Sequence, residues 1–167
     1  MLAWYDEVAA GPGWQRPGEA LCAVLFHDAI YLCGASDNEA RSAAVARAAL
    51  ARWLPSLDAD RVAALIELTA RHGGLTASQV DRDAALFLDC DMAILGAAPD
   101  EYRRYARLVA EEWAPVLPAA AFRAGRRAFL ERLLASDAIY LTDMFRQRLE
   151  ATARANIAAE VSALAAS

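Results

Sequence analysis

The sequence predicts an all-α fold, on three observations. Ala, Leu, Arg and Glu dominate the 167 residues, and these types lose little freedom on entering a helix. The 8 glycines and 6 prolines gather at a few breakpoints, among them Gly11-Pro12-Gly13, Pro17-Gly18, Gly73-Gly74 and Pro99, where they punctuate the chain. Between the breaks, apolar residues recur three and four positions apart, the helical spacing. The length suits one domain able to bury a core unaided, so residues 1–167 are expected to form a single helical domain with little or no strand.

The elements follow in order. Met1 to Ala10 reads as helical but begins on Met1-Leu2-Ala3-Trp4-Tyr5 with no capping residue, as the back half of a helix would. An apolar helix is expected from about Glu19 to Tyr31. Ser36-Asp37-Asn38-Glu39 has capping-box spacing and should open a helix through roughly Trp53, with Pro55 closing it. Asp58 suits the N-cap of the next helix, which places Val62, Leu65, Ile66 and Thr69 on one face until His72-Gly73-Gly74 stops it. Asp81 can cap a helix carrying Ala84, Ala85, Leu88, Met92 and Leu95, ended by Gly96. Pro99 fits the first turn of another, with Tyr102, Tyr105, Leu108 and Val109 on one side, ending near Pro115. Two more run from about Pro118 to Leu134 and from Thr142 or Asp143 to the Ala-rich end. The last carries Phe145, Leu149, Thr152, Ile157, Val161 and Leu164.

A net charge of −5 argues against binding a nucleic-acid duplex, whose phosphates are held by a surplus of cations. The positive charges are carried by arginine, which suits a small anionic ligand even on an acidic protein. Cys22, Cys33 and Cys90 are odd in number and lack zinc-ligand spacing, so reduced thiols are expected. No apolar run reaches membrane-spanning length, and the start has no secretory pattern. The expected location is therefore the cytoplasm, with no membrane partner.

Polarity interrupts the apolar helices at two places. His27-Asp28 lies inside Leu21 to Tyr31, and burying such a pair needs compensation, which a divalent cation or backbone hydrogen bonds would both supply. Neighbouring helix positions diverge by about 100°, so both side chains reach one ion only if it sits in the angle between them. Asp89-Cys90-Asp91 interrupts a second apolar segment. Two apart on a helix, its carboxylates point in different directions; Asp91 is favoured as the inward one, with Asp89 as the alternative. Standing alone, the first motif also reads as a helix-end His beside a capping Asp, and the second as a partly exposed acidic turn.

Together these blocks resemble a known family. Phe26 to Tyr31, Asp37-Asn38-Glu39 with Ser42, Thr69 with His72, and Phe87 to Gly96 look like a bacterial group of metal-dependent HD phosphohydrolases. The likeness continues through Tyr102 and Tyr105, Gly125-Arg126, Tyr140 with Thr142, and Arg154 with Asn156. It implies an HD-type helical bundle in which His27, Asp28 and Asp91 hold a divalent metal ion. That family usually has a further His just upstream of the region matching Met1 to Tyr5. This chain has no His before residue 27, so the front of its first helix is expected to be missing. Loss of one ligand in four should weaken metal binding. Mixed nitrogen and oxygen donors suit Mn, Mg, Fe, Co, Ni and Zn alike.

The expected activity is metal-dependent hydrolysis of a nucleotide or other small phosphoester. Asp28 would orient water and His72 would donate a proton or hydrogen bond. Glu39 would orient water or accept a proton, and is equally well placed as the capping-box residue. Asn38 and Arg126 would contact substrate; Arg126 stands first among the arginines because Gly125 beside it permits close approach. A non-catalytic metal- or nucleotide-binding module and a purely structural bundle are the alternatives. A homodimer is compatible with all three. Tyr102, Tyr105, Trp113, Phe122 and Phe129 are expected to build core rather than stack on a base.

Overall fold

The computed structural model describes residues 1–166 and contains, among them, eight α-helices and no strand. The helices are α1 (Leu2–Ala10), α2 (Pro17–Phe26), α3 (Asn38–Trp53), α4 (Ala59–Leu68), α5 (Arg82–Met92), α6 (Pro99–Trp113), α7 (Ala119–Ala135) and α8 (Asp143–Ala166). Short 3-10 turns occupy Thr69–Arg71, Ala77–Gln79 and Ala93–Gly96. The chain falls into two compact units, Met1–Asp91 and Met92–Ser167.

In the first unit α3 packs along α4, and α2 lies against both. The small side chains Ala23, Ala43, Ala46 and Ala63 are fully buried beside Leu50, Val62, Leu65 and Ile66, so the helices approach closely and the fill comes from branched residues. The starts are set by chemistry legible in the sequence. Pro17 occupies the first turn of α2. Asp58 caps α4 by accepting the Arg61 N–H at 3.0 Å, and Asp81 does the same for Ala84 at 3.0 Å ahead of α5. Each satisfies a donor the helix leaves open. Asp83, 2% exposed, accepts the backbone N–H groups of Gln15 and Arg16 at 2.9 and 2.8 Å, which ties α5 to the loop before α2.

Two helix ends differ from the sequence expectation. α2 stops at Phe26, five residues before Tyr31, with His27 as its C-cap. Apolar character continues to Tyr31, but two polar side chains of α3 capture the backbone. Ser42 takes both groups of Ile30, and the Asn38 amide takes the N–H and carbonyl of Leu32, both at 3.0 Å. These bonds replace the ladder a longer helix would have made. α3 itself begins without the Ser36–Glu39 capping box: its N-cap is Asp37, with no side-chain cap bond.

In the second unit α6 and α7 pack on α8, and the turn Ala93–Gly96 sits against α8 and α6. Pro99 opens α6, with Asp100 and Glu101 in its first turn, where carboxylates suit the helix dipole. Asn156, 6% exposed, donates to the carbonyls of Leu95 and Ala97, both at 2.9 Å, pinning the turn to α8. Tyr102, Leu130, Tyr140, Phe145 and Ile157 form the core of this unit. Leu108, which the spacing sets on one side of α6 with Tyr102, Tyr105 and Val109, is 47% exposed. Tyr105, Trp113, Phe122 and Phe129 are half-buried rather than core.

Candidate functional site

The end of α2 builds one side of the candidate site. A helix leaves its last carbonyls unpaired, and the Nδ1 of His27 stands 3.0 Å from that of Val24. A carbonyl only accepts, so Nδ1 carries the proton and donates it. The free end of the ring, Nε2, then faces two carboxylates: Oδ2 of Asp28 at 3.3 Å and Oδ1 of Asp91 at 3.5 Å. The imidazole is 17% exposed and the Asp28 side chain 64% exposed, so the ring is held while Asp28 faces solvent. The Phe87 and His27 rings stand nearly perpendicular with centroids 6.4 Å apart, which limits rotation of the imidazole.

The other side comes from α5 and from the 3-10 turn after α4. Asp91 lies in the last turn of α5. Its second oxygen, Oδ2, stands 2.7 Å from Nε2 of His72, which therefore donates. His72 is the C-cap of Thr69–Arg71 and is followed by Gly73 with φ +71, a left-handed conformation that favours glycine. The bond to Asp91 sets His72 beside the end of α5. One carboxylate thus meets two imidazoles, one on each oxygen.

These contacts set the charges. Burial pulls the His27 ring toward neutrality, but the facing carboxylates of Asp28 and Asp91 outweigh it and raise its pKa from 6.5 to about 10. Burial pushes the Asp91 carboxyl up, and the two histidines hold it well below the usual carboxylate range. The Cys90 thiol, buried between two acids, is pushed up to about 12; none of the three cysteines forms a disulfide.

The donor chemistry fits a divalent cation. An imidazole nitrogen and two carboxylates suit borderline and hard ions, and the proton on Nδ1 directs Nε2 into the site. The spacing fits as well: donors bound at roughly 2.0–2.2 Å around a tetrahedral ion stand about 3.3–3.6 Å apart, whereas a charge-assisted N–H···O bond would be nearer 2.8 Å. The fit is pairwise. Among the described residues no three His, Cys, Asp or Glu side chains stand as a preformed metal-holding group, and the bond from His72 draws one Asp91 oxygen aside.

The other sequence candidates lie as follows. Asp89 is buried at 2% exposure, while Asp91 is the acid that meets His27 and His72. Asn38 is buried with its amide taken up by Leu32, so it shapes the loop after the site. Glu39 is half-buried in the first turn of α3. Arg126 belongs to the second unit, where its Nε and Nη2 donate to Glu160 at 2.9 and 3.2 Å. Tyr102 donates to the same carboxylate. Burial opposes the charge of Arg126, but Glu160 more than offsets it and raises its pKa further.

The sequence reading gave Ser42 no role, yet its hydroxyl fixes the backbone just beyond His27-Asp28. The signal was present: Asn38 and Ser42 are four apart and so share one face of α3. No helix among the described residues is long and apolar enough to cross a membrane. Comparison with models of protein families, with curated proteins and with solved structures finds no match to this chain.

Proposed function

We propose that the chain is an HD-type metal-dependent phosphohydrolase acting on a nucleotide or another small phosphoester, with His27, Asp28 and Asp91 holding the cation. The observation that carries this reading is the orientation of His27. Its Nδ1 is committed to the Val24 carbonyl, and its Nε2 faces two carboxylates across 3.3 and 3.5 Å, too far for strong hydrogen bonds and right for shared ligation. When bound, a divalent ion supplies an activated water and polarises a phosphoryl oxygen.

The remaining roles belong to the side chains. Val24 fixes the His27 tautomer, and Phe87 and Ser42 fix where the ring and its loop stand. Asp28, the most exposed member, is the carboxylate a water or substrate reaches first, and it would orient the nucleophile. His72 donates its Nε2–H to Asp91 and would serve as the proton donor to a phosphoryl oxygen or leaving group once that bond is exchanged. A screen of nucleotides and small phosphoesters with added Mn²⁺, Co²⁺, Ni²⁺, Zn²⁺ or Mg²⁺ tests this. Turnover in wild type that disappears in Asp28→Ala supports the reading. Equal turnover in the two proteins would remove Asp28 from the chemistry.

A second reading, a non-catalytic metal- or nucleotide-binding module, is favoured by the 2.7 Å bond between His72 and Asp91, which closes the cluster on itself. Metal or nucleotide binding without turnover in the same screen selects it.

A further inference from the structure

The second unit carries a cleft that the proposed hydrolase does not use. It lies between α6 and α7 and has a volume of about 250 Å³. Its walls include Val109, Trp113, Phe122 and Phe129, with Gly125 and Arg126 beside them. Two features of this lining bear on what it could hold. Gly125 sits in the interior of α7, where glycine weakens a helix relative to alanine. Neither a positive φ nor a close neighbour requires it, since a Cβ built there meets nothing within 4 Å. A residue that costs helix stability and leaves open space fits a surface on which something rests.

The second feature is the guanidinium of Arg126. Its side chain is 10% exposed, and the bidentate pair with Glu160 uses only Nε and Nη2. Nη1 has no protein acceptor among the described residues. Among the described residues no side-chain nitrogen or oxygen is both buried and unpaired, so Nη1 keeps access to solvent. A nearly buried cation thus retains donors beside apolar walls. On the α7 side the arginines Arg123, Arg126, Arg127 and Arg132 outnumber the acid Glu131, though Glu160 and Glu131 pair with Arg126 and Arg127 and α6 carries Glu111 and Glu112.

We propose that this cleft binds a small amphiphilic carboxylate, its hydrocarbon chain or ring lying over Gly125 between the aromatic walls and its anionic head meeting Nη1 of Arg126. At protein-like packing the volume accommodates on the order of ten heavy atoms, the size of a medium-chain fatty acid or an aromatic acid. Apolar walls with one oriented polar group match the usual make-up of a small-ligand site.

Sodium octanoate is the probe, with octan-1-ol as its neutral counterpart, both titrated calorimetrically into the full chain. Octanoate is expected to bind saturably with one site per chain, and octanol at least tenfold more weakly. Gly125→Leu projects a side chain over the cleft from a position whose Cβ meets nothing within 4 Å and favours the helix, so it should lower octanoate affinity at least tenfold while the melting temperature holds or rises. Gly125→Ala, too small to fill the space, should bind within about threefold of wild type. If Gly125→Leu fails to fold, Ala121→Leu blocks the same space from one turn earlier. Absence of saturable octanoate binding overturns the proposal, as does equal affinity in the blocked variant or octanol binding as tightly as octanoate. A wild-type dimer that the blocking variant converts to monomer, without octanoate uptake, assigns the cleft to a second copy of the chain and also overturns it.

Discussion

The hydroxyl of Ser42 holds both backbone groups of Ile30, donating to its carbonyl at 3.1 Å and accepting its N–H at 3.0 Å. One fully buried side chain on α3 therefore sets the path of the loop that leaves His27 and Asp28. Ser42 thus sets the loop beyond the site, while Val24 and Phe87 hold the His27 ring itself.

Replacing Ser42 with Ala leaves those two groups without their partner. The expected loss is about 1–3 kcal/mol of stability, the cost of unsatisfied buried polar groups. Urea unfolding should show a lower midpoint with an unchanged slope. The His27–Asp28 loop should also exchange its amide hydrogens faster than α3 and α4, whose core does not involve the hydroxyl.

The metal-free protein should lose stability toward both ends of the pH scale through the same cluster. His27 binds its proton more tightly folded than unfolded, so its contribution is complete below its ordinary value of 6.5 and is lost as pH rises toward about 10. Asp91 is depressed from its ordinary 3.8, so its contribution is complete above that value and is lost as pH falls below it. Thermal melts across this range should decline on the alkaline side from about pH 7 in wild type. They should decline less in His27→Gln, which removes the titrating ring. Identical profiles in the two proteins would contradict the assignment.

Gly96 in the second unit tolerates no side chain. A Cβ there would lie 2.6 Å from the Cβ of Leu149, 3.0 Å from the Tyr140 hydroxyl and 3.1 Å from the Leu149 carbonyl. Gly96→Ala should destabilise by about 1–3 kcal/mol, the usual result of overpacking, seen as a lowered melting temperature. Gly125→Ala, with open space around it, should do the opposite.

The Arg126–Glu160 pair is nearly buried, with side chains 10% and 13% exposed. Removing one partner strands the other, so Glu160→Ala should cost about 3–5 kcal/mol. Exchanging both for apolar residues of similar volume should cost much less. A double-mutant cycle by chemical denaturation measures the difference.

Much of the fold was legible because the signals are local. Asp58, Asp81 and Pro99 announce their helices by chemistry acting within one turn, and the structure places them at those starts. The end of α2 was not legible, because it is set by Asn38 and Ser42, which bond Leu32 and Ile30 from six and twelve residues away on the next helix. The capping box at Ser36 did not form, because α3 starts one residue later, with Asp37 as N-cap and no side-chain cap bond. The exposure of Leu108 was not legible either, because periodicity marks an apolar face without saying whether anything covers it. Within the site, the pairing of Asp91 rather than Asp89 with His27 follows from the direction of one turn of α5, which the spacing left open.

Calorimetric titration of Mn²⁺ or Co²⁺ into chelator-treated protein bears most directly on the assignment of His27, Asp28 and Asp91 as a cation site. One ion per chain is expected, with affinity reduced more than tenfold in both His27→Ala and Asp91→Ala. Failure of the wild-type chain to bind any divalent ion stoichiometrically, or affinity untouched by both substitutions, would contradict the account.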